Sequence, residues 1–224
     1  MIAQGFLGEH AYTAKKLDVA AIPALMELQQ AVVDALPDKA ILQPLDEDEL
    51  RFILEGNGVM IGIFVAEQLI AFRALLEPEL DDEHLGRDIG LTEKELGKVL
   101  YQEISNVHPN FRGHGLQQTM ANIIMKQVDT EKHQIICATV MPYNIASLKD
   151  KFAQGMHVAA LKYKYGGKLR YVFTKSLIEQ IEFGVELREV SMGATEEQQQ
   201  LLKQGFIGAE MKKIENDWFI TYRK

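Results

Sequence analysis

The feature of this sequence that most restricts its fold is a strand, a glycine-bearing turn and a helix that follow one another directly. Residues 99–107 are rich in β-forming residues, and the turn after them reads Arg112-Gly-His-Gly115. The apolar residues beyond the turn recur at helical spacing: Leu116, Met120, Ile123, Ile124 and Val128. Glycines permit a sharp turn, and the N–H groups at a helix start favour a negatively charged group. The segment therefore predicts a cradle for a phosphate group.

The turn differs from two common phosphate-binding motifs. No Gly-Lys-Ser/Thr sequence follows it, which excludes a P-loop, and the third glycine of a dinucleotide fingerprint is absent. The net charge of −8 argues against nucleic acid or an anionic membrane as the partner, because both repel a negatively charged protein. The cradle is therefore expected to serve a different phosphorylated ligand.

The composition is that of a soluble globular protein. The chain has 224 residues, of which 47% are hydrophobic and 25% charged, and this suits one domain with a small appendage. Its single cysteine, Cys137, lies in an apolar run and is expected to be a buried core residue rather than a nucleophile. No signal-peptide pattern and no run of membrane-spanning length occurs, so the sequence predicts a cytoplasmic protein.

The predicted elements follow the order β-α-α-β-β-β-α-β-α-β-β from Tyr12 to about Lys175. Two strands at 59–66 and 69–76 are almost continuously apolar, which indicates a sheet buried on both faces. In residues 177–224 the pattern predicts a strand, a helix and a closing hairpin.

The strand, turn and helix resemble a known family. Val107-His-Pro-Asn-Phe-Arg-Gly-His-Gly-Leu116 resembles the acetyl-CoA-binding signature of the GNAT N-acetyltransferases, whose core pattern is Gln/Arg-x-x-Gly-x-Gly/Ala. Arg112, Gly115 and Gln117 occupy its defined positions, and Gln117 departs from the small residue expected there. The resemblance covers about residues 12–175.

The resemblance implies an α/β fold of the α+β type, with a mixed central sheet flanked by helices. We expect residues 1–176 to form this GNAT domain and residues 177–224 to form a small C-terminal α/β extension. Three roles fit the extension: continuation of the sheet, a homodimer contact, or a lid over the substrate.

The resemblance also implies a binding site for acetyl-CoA, used as a co-substrate without a metal. Ser105, Asn106 and Val107 would pair with the pantetheine arm and the acetyl carbonyl. Asn144 matches the family's asparagine at the next helix start, and Ser147 lies one turn further on. The pyrophosphate would be held by backbone N–H groups of six consecutive residues: Arg112, Gly113, His114, Gly115, Leu116 and Gln117.

The proton carriers depart from the family pattern. Many members have a tyrosine seven residues after the asparagine, where this chain has Lys151, and some have a glutamate five residues before it, where this chain has Thr139. Glu103 is the best remaining general base, acting directly or through water, although a solvent-exposed strand glutamate explains it equally well. Tyr101 and Tyr143 are candidate proton donors. The six histidines show no metal-ligand spacing.

The implied activity is acetyl transfer to a primary amine of a small molecule, peptide or protein, by direct attack in a ternary complex. Two alternatives remain. The first fits the missing tyrosine and glutamate, and the second fits the presence of the C-terminal extension. One is a CoA-binding sensor or interaction module with little catalysis, and the other is a protein-modifying enzyme whose tail docks a partner.

A segment at residues 77–96 is predicted to be a long irregular insertion. Its first twelve positions, Glu77 to Asp88, carry six acidic residues, and among these twelve positions only His84 and Arg87 offer positive partners. Such a negative field would attract a cationic acceptor. A solvated acidic loop without that role fits the composition equally well.

Overall fold

The computed structural model describes residues 1–36 and 42–224. The described chain forms two compact units, one of Met1–Pro78 with Leu100–Asp129 and one of Glu79–Val99 with Thr130–Lys224. The predicted boundary at residue 176, between the GNAT domain and the C-terminal extension, stays a prediction. The two compact units divide the chain at other positions.

The described strands are numbered along the chain. They are β1 (Ala3–Leu7), β2 (His10–Lys16), β3 (Gly58–Val65), β4 (Gln68–Leu76), β5 (Val99–Val107), β6 (Ile135–Val140), β7 (His157–Lys164), β8 (Lys168–Ser176), β9 (Leu187–Ser191), β10 (Ile207–Ile214) and β11 (Asp217–Arg223).

The described α-helices are numbered in the same way. They are α1 (Ile22–Asp34), α2 (Glu47–Leu54), α3 (Leu85–Asp88), α4 (Glu93–Leu96), α5 (Leu116–Met125), α6 (Ile145–Ala153) and α7 (Thr195–Lys203).

The first unit contains an antiparallel sheet in the order β1-β2-β3-β4-β5. The strand predicted to begin at Tyr12 corresponds to β2, and the sequence reasoning missed β1, which precedes it. β1 has the sequence Ala-Gln-Gly-Phe-Leu and Phe6 is exposed, so it shows little of the alternation by which a half-buried strand is recognised. Gly8, with φ +60°, makes the turn to β2.

Helices α1, α2 and α5 cover the sheet of the first unit. α2 begins at a capping box, in which Asp46 accepts from the Glu49 N–H and the Glu49 side chain accepts from the Asp46 N–H. The core between α1, α2 and the sheet consists of buried apolar side chains that include Leu25, Leu28, Leu50, Ile53, Met60, Phe72, Ala74 and Ile104.

The sheet of the second unit continues from β6 into the C-terminal residues. Its order is β6-β8-β7-β10-β11-β9, and every pair within it is antiparallel. Gly208 of β10 pairs with Val158 of β7, where a Cβ on the glycine would lie 2.8 Å from Val158. Of the three roles predicted for residues 177–224, sheet continuation is therefore confirmed.

A buried glutamine joins this extension to the preceding strands. Gln198 on α7 has an exposed fraction of 0%. Its Oε1 accepts hydrogen bonds from the hydroxyls of Tyr171 at 2.7 Å and Tyr222 at 3.0 Å. Its Nε2 donates to the Met192 carbonyl at 3.0 Å. Burial raises the pKa of both tyrosines, so both remain donors at neutral pH.

The insertion at residues 77–96 is more ordered than the sequence predicted, because it contains α3 and α4. Its acidic side chains also find partners outside the segment. Lys164 on β7 donates to Asp88 at 2.9 Å and to the Glu83 carbonyl at 2.8 Å, and Lys162 donates to Asp88 at 2.8 Å.

These contacts add positive partners from outside the segment, which the sequence did not reveal, to the two expected within it. Desolvation lowers the pKa of the buried Lys164, but its bonds to Asp88 and Glu83 outweigh that effect and raise it. The lysine thus remains charged. Sequence reasoning missed the pair because its members lie far apart in the chain.

Within the part of the chain that the structure describes, no helix is both long and apolar enough to cross a membrane.

The contacts of Gln198 predict a large loss of stability on its removal. Gln198→Ala leaves two buried tyrosine hydroxyls without their acceptor, so the free energy of unfolding should fall by about 2–4 kcal/mol. Gln200→Ala, on an exposed position of the same helix, should change it by less than about 0.5 kcal/mol. Urea denaturation of both variants measures the difference, and equal unfolding free energies would contradict this account.

Candidate functional site

The predicted phosphate cradle begins directly after β5. A 3-10 helix at Pro109–Phe111 leads into Gly113 and Gly115, whose φ angles are +83° and +69°. Gly115 is the N-cap of α5 and, as a glycine, offers no side chain to cap the first N–H groups of that helix. A Cβ on either glycine would meet no atom within 4 Å, so the space beside the turn is open. This geometry suits an anion that accepts from the backbone N–H groups.

Gln117, the departure from the family pattern, folds back onto β5. Its Oε1 accepts a hydrogen bond from the Ser105 hydroxyl at 2.5 Å, and its Nε2 donates to the Ser105 carbonyl at 3.4 Å. The side chain thus ties the first turn of α5 to the strand. It also engages the side chain of Ser105, so any contact from Ser105 to a ligand would compete with this bond.

A buried arginine supports the same turn. Arg73 on β4 has an exposed fraction of 1%, and it donates to the Gln117 carbonyl at 3.1 Å and to the Gln102 side chain at 2.7 Å. One guanidinium therefore connects β4, β5 and the start of α5. Sequence reasoning missed Arg73, although a charged residue within the apolar strand at 68–76 was a visible signal.

Asn106 and Val107 lie at the end of β5, next to the turn, and both are buried. Asn106 has an exposed fraction of 2%, and its Nδ2 has no hydrogen-bond partner within the described chain. A buried amide donor without an acceptor is costly, so its presence suits a ligand oxygen at this position. Together with the open glycine turn, this donor is compatible with a CoA-type ligand at the end of β5, and the site residues stay predictions.

Glu103 lies at an irregularity of β5. Ile104 pairs with Ala74 and Gln102 pairs with Leu75, which leaves Glu103 as the extra residue of a β-bulge. Its side chain is exposed, yet desolvation by the surrounding protein raises the pKa of its carboxyl from 4.5 to about 7. The charge of Glu49 contributes less to this shift. The side chain is therefore in contact with solvent, and the role of Glu103 as a general base stays a prediction.

The remaining predicted cofactor residues belong to the second unit. Asn144 is the N-cap of α6, and its Oδ1 accepts from the Ser147 N–H at 3.3 Å. Lys151, in place of the family's tyrosine, is buried and pairs with Asp150 at 3.0 Å. Thr139, in place of the glutamate, lies on β6 opposite Val172. The Lys151 ammonium is therefore engaged by the Asp150 carboxylate, and Thr139 has no group that ionises near neutral pH.

The other candidates for chemistry have structural explanations. Tyr143 donates a hydrogen bond to Asp217 at 3.3 Å. Cys137 is buried, as predicted, and desolvation raises the pKa of its thiol to about 12. Among residues 1–36 and 42–224, no group of three or more His, Cys, Asp or Glu side chains is arranged to hold a metal ion.

Solved structures with a similar fold include acetyltransferases. The ribosomal-protein-S18-alanine N-acetyltransferase from Escherichia coli has a TM-score of 0.56 at 13% identity, covering 76% of this chain and 97% of its own. A putative acetyltransferase from Salmonella typhimurium, solved with its cofactor acetyl-CoA, has a TM-score of 0.55 at 16% identity, covering 76% and 96%. The GNAT domain of S. lividans PAT has a TM-score of 0.56 at 16% identity, covering 78% and 96%.

No protein-family model matches the sequence, and no curated protein matches it. The similarity therefore lies in the fold, at sequence identities too low to carry an activity from one protein to another. The fold class predicted from the strand, turn and helix is confirmed: this chain has the fold of the GNAT N-acetyltransferases.

Proposed function

We propose that this protein is an acetyl-CoA-dependent N-acetyltransferase that acylates a primary amine by direct attack in a ternary complex. The observation that carries the proposal is the uncapped, glycine-built start of α5 directly after β5, within a GNAT fold. Acyltransferase chemistry fits this arrangement because the co-substrate must be held by its phosphates and aligned along a strand.

The backbone N–H groups of Arg112 to Gln117 would hold the pyrophosphate. The positive φ angles of Gly113 and Gly115 allow the chain to turn without side chains in the anion's path. The bonds from Arg73 and Ser105 to Gln117 fix the first turn of α5, so its N–H groups are oriented before the ligand arrives.

The acyl arm would lie against the end of β5. Asn106 supplies a buried N–H donor, and Ser105 and Val107 supply backbone groups. The co-substrate contacts expected of Asn144 and Ser147 stay predictions. Acetyl-CoA supplies the acetyl group and the thiolate that leaves.

Glu103 would remove the proton from the attacking ammonium, directly or through water. A general base works best when its pKa lies near the working pH, and the Glu103 pKa of about 7 meets this condition. The neutral amine then attacks the thioester carbonyl, a C–N bond forms, the C–S bond breaks, and the thiolate takes up a proton.

The charge of the acceptor stays a prediction. Asp88 and Glu83 are paired with lysines of β7, so part of the negative field expected from the insertion is neutralised. Electrostatic attraction of a cationic acceptor would thus depend on the acidic residues of the insertion that are outside these pairs. The cytoplasmic location and the alternative of a homodimer also stay predictions.

Gly115→Glu should weaken acetyl-CoA binding at least about tenfold, or about 1.4 kcal/mol. The variant places a negative side chain where the pyrophosphate would lie, at a φ angle that L side chains rarely adopt. Gly166→Glu is the matched control, since Gly166 has φ +76° and open space around it in the turn after β7. Calorimetry on both folded variants measures the affinity. Unchanged binding by Gly115→Glu would contradict the proposed cradle.

Glu103→Gln should lower kcat by about 100-fold and leave acetyl-CoA affinity nearly unchanged. Because the base acts when ionised, wild-type kcat/KM should fall as the pH drops below about 7. This fall is the acidic limb of the pH–rate profile, and the variant should lose it.

Glu49→Gln provides the control for the role of Glu103. Removing this neighbouring negative charge should move the limb to lower pH while keeping turnover. The role fails if Glu103→Gln retains both the wild-type rate and the wild-type profile.

A further inference from the structure

A surface cavity of the first unit lies beside the glycine turn. Its volume is about 620 Å³, within the range of about 300–1,000 Å³ that is usual for small-molecule sites. Its lining comes from the β1–β2 turn, from Gln68 at the start of β4, and from parts of the loop 108–114, all of which belong to that unit. His114 belongs both to this lining and to the glycine turn, so the cavity adjoins the proposed position of the pyrophosphate.

Three rings in the lining contact one another. The Phe111 ring is half-buried, and its centroid lies 6.3 Å from that of His10 and 5.9 Å from that of His108. Both imidazoles stand nearly perpendicular to the phenyl ring, at 69° and 71°, which is a favourable aromatic arrangement. The cluster connects the start of β2 to the loop that precedes α5. Rings that hold one another in this way offer a preformed surface on which a flat heterocycle can stack.

The polar groups of the lining match an adenine ring attached to a ribose. The exposed carboxamide of Gln68 can both donate and accept, which is the combination that recognises N6 and N7 of adenine. His108 Nδ1 accepts from the Asn110 N–H at 3.2 Å, so the neutral imidazole has its proton on Nε2 and can donate it to a ring nitrogen. The Glu9 carboxylate can accept from ribose hydroxyls.

The same lining disfavours other ligands. Guanine is recognised mainly by arginine or lysine, and the described residues that line the cavity include neither. Phosphate groups would therefore find no cationic side chain inside the cavity, whereas the N–H groups of the neighbouring turn are open to them. The histidines also belong to no group of three or more His, Cys, Asp or Glu side chains in the described chain that could hold a metal ion.

We propose that this cavity binds the adenine ring of an adenosine diphosphate group whose phosphates lie at the N–H groups of Arg112 to Gln117. Acetyl-CoA contains such a group, and a free adenine nucleotide also carries it. The inference rests on the proposed function for the position of the phosphates. It assigns the β1–β2 turn, which the sequence reasoning missed, a part in ligand binding.

The test uses two variants of the lining and a matched control for each. Phe111→Leu removes the ring but keeps an apolar side chain, and Gln68→Ala removes an exposed carboxamide. Phe52→Leu, at a position with an exposed fraction of 40% on α2, and Gln4→Ala, at an exposed position of β1, change the same residue types outside the cavity. Calorimetry measures the affinity of each variant for ADP, GDP and acetyl-CoA.

The wild-type protein should bind ADP more tightly than GDP. Phe111→Leu should weaken ADP binding about tenfold, in the range of the stacking of a base on an aromatic side chain. Gln68→Ala should weaken ADP binding about fivefold, the effect of a lost hydrogen bond, and should reduce the preference for ADP over GDP. Both controls should match the wild type.

S-acetyl-4′-phosphopantetheine, which lacks the adenosine, identifies the source of the ring. If the ring is that of acetyl-CoA, the wild type binds acetyl-CoA more tightly than the truncated ligand. Both cavity variants then lower the affinity for acetyl-CoA and leave that for the truncated ligand unchanged. If the ring is that of a free nucleotide, the variants weaken ADP binding and leave acetyl-CoA binding unchanged. Either result supports the cavity as an adenine site.

The inference is overturned if the wild type does not bind ADP, if it binds ADP and GDP equally, or if the cavity variants bind ADP as tightly as the controls. Normal acetyl transfer by the wild type alongside any of these results would contradict this inference alone. Cavity-dependent binding of ADP by a protein that transfers no acetyl group would instead contradict the proposed function alone.

Discussion

The candidate site of the first unit depends on the buried guanidinium of Arg73. Its hydrogen bonds to the Gln117 carbonyl and the Gln102 side chain connect two neighbouring strands to the first turn of α5. Burying such a charge costs free energy unless hydrogen bonds compensate it, so the surrounding groups must keep these positions. The glycine turn at Gly115 has no side chain that could cap α5, and the bond from Arg73 to the Gln117 carbonyl holds the helix start in place.

The second unit is organised around polar side chains that are buried with their partners. Gln198 accepts from two tyrosines, and Lys164 fixes the segment of α3 through Asp88 and Glu83. Each of these groups would be costly if it lost its partner, so they favour one arrangement of strands and helices over others. The C-terminal residues take part in this network, and they form one compact unit with β6, β7 and β8.

The sequence was informative where the determining contacts are local. The glycine turn, the helix start at Asn144 and the closing hairpin each depend on residues a few positions apart, and each was found in or near its predicted place. It was uninformative where partners lie far apart. Lys164 and Asp88, or Tyr143 and Asp217, are more than 70 residues apart, so no spacing rule could pair them. The bulge at Glu103 likewise depends on register against β4, which the strand's own residues do not determine.

The proposed function requires that this protein transfers an acetyl group rather than only binding CoA. The most direct measurement incubates the protein with acetyl-CoA and a panel of amines, including peptides with free N-termini, polyamines and amino acids. Mass spectrometry then quantifies N-acetylated product while a thiol assay quantifies released CoA. The account predicts that one acceptor class yields N-acetyl product and free CoA in equal amounts. Saturable binding of acetyl-CoA with no acetyl group transferred to any amine would contradict it.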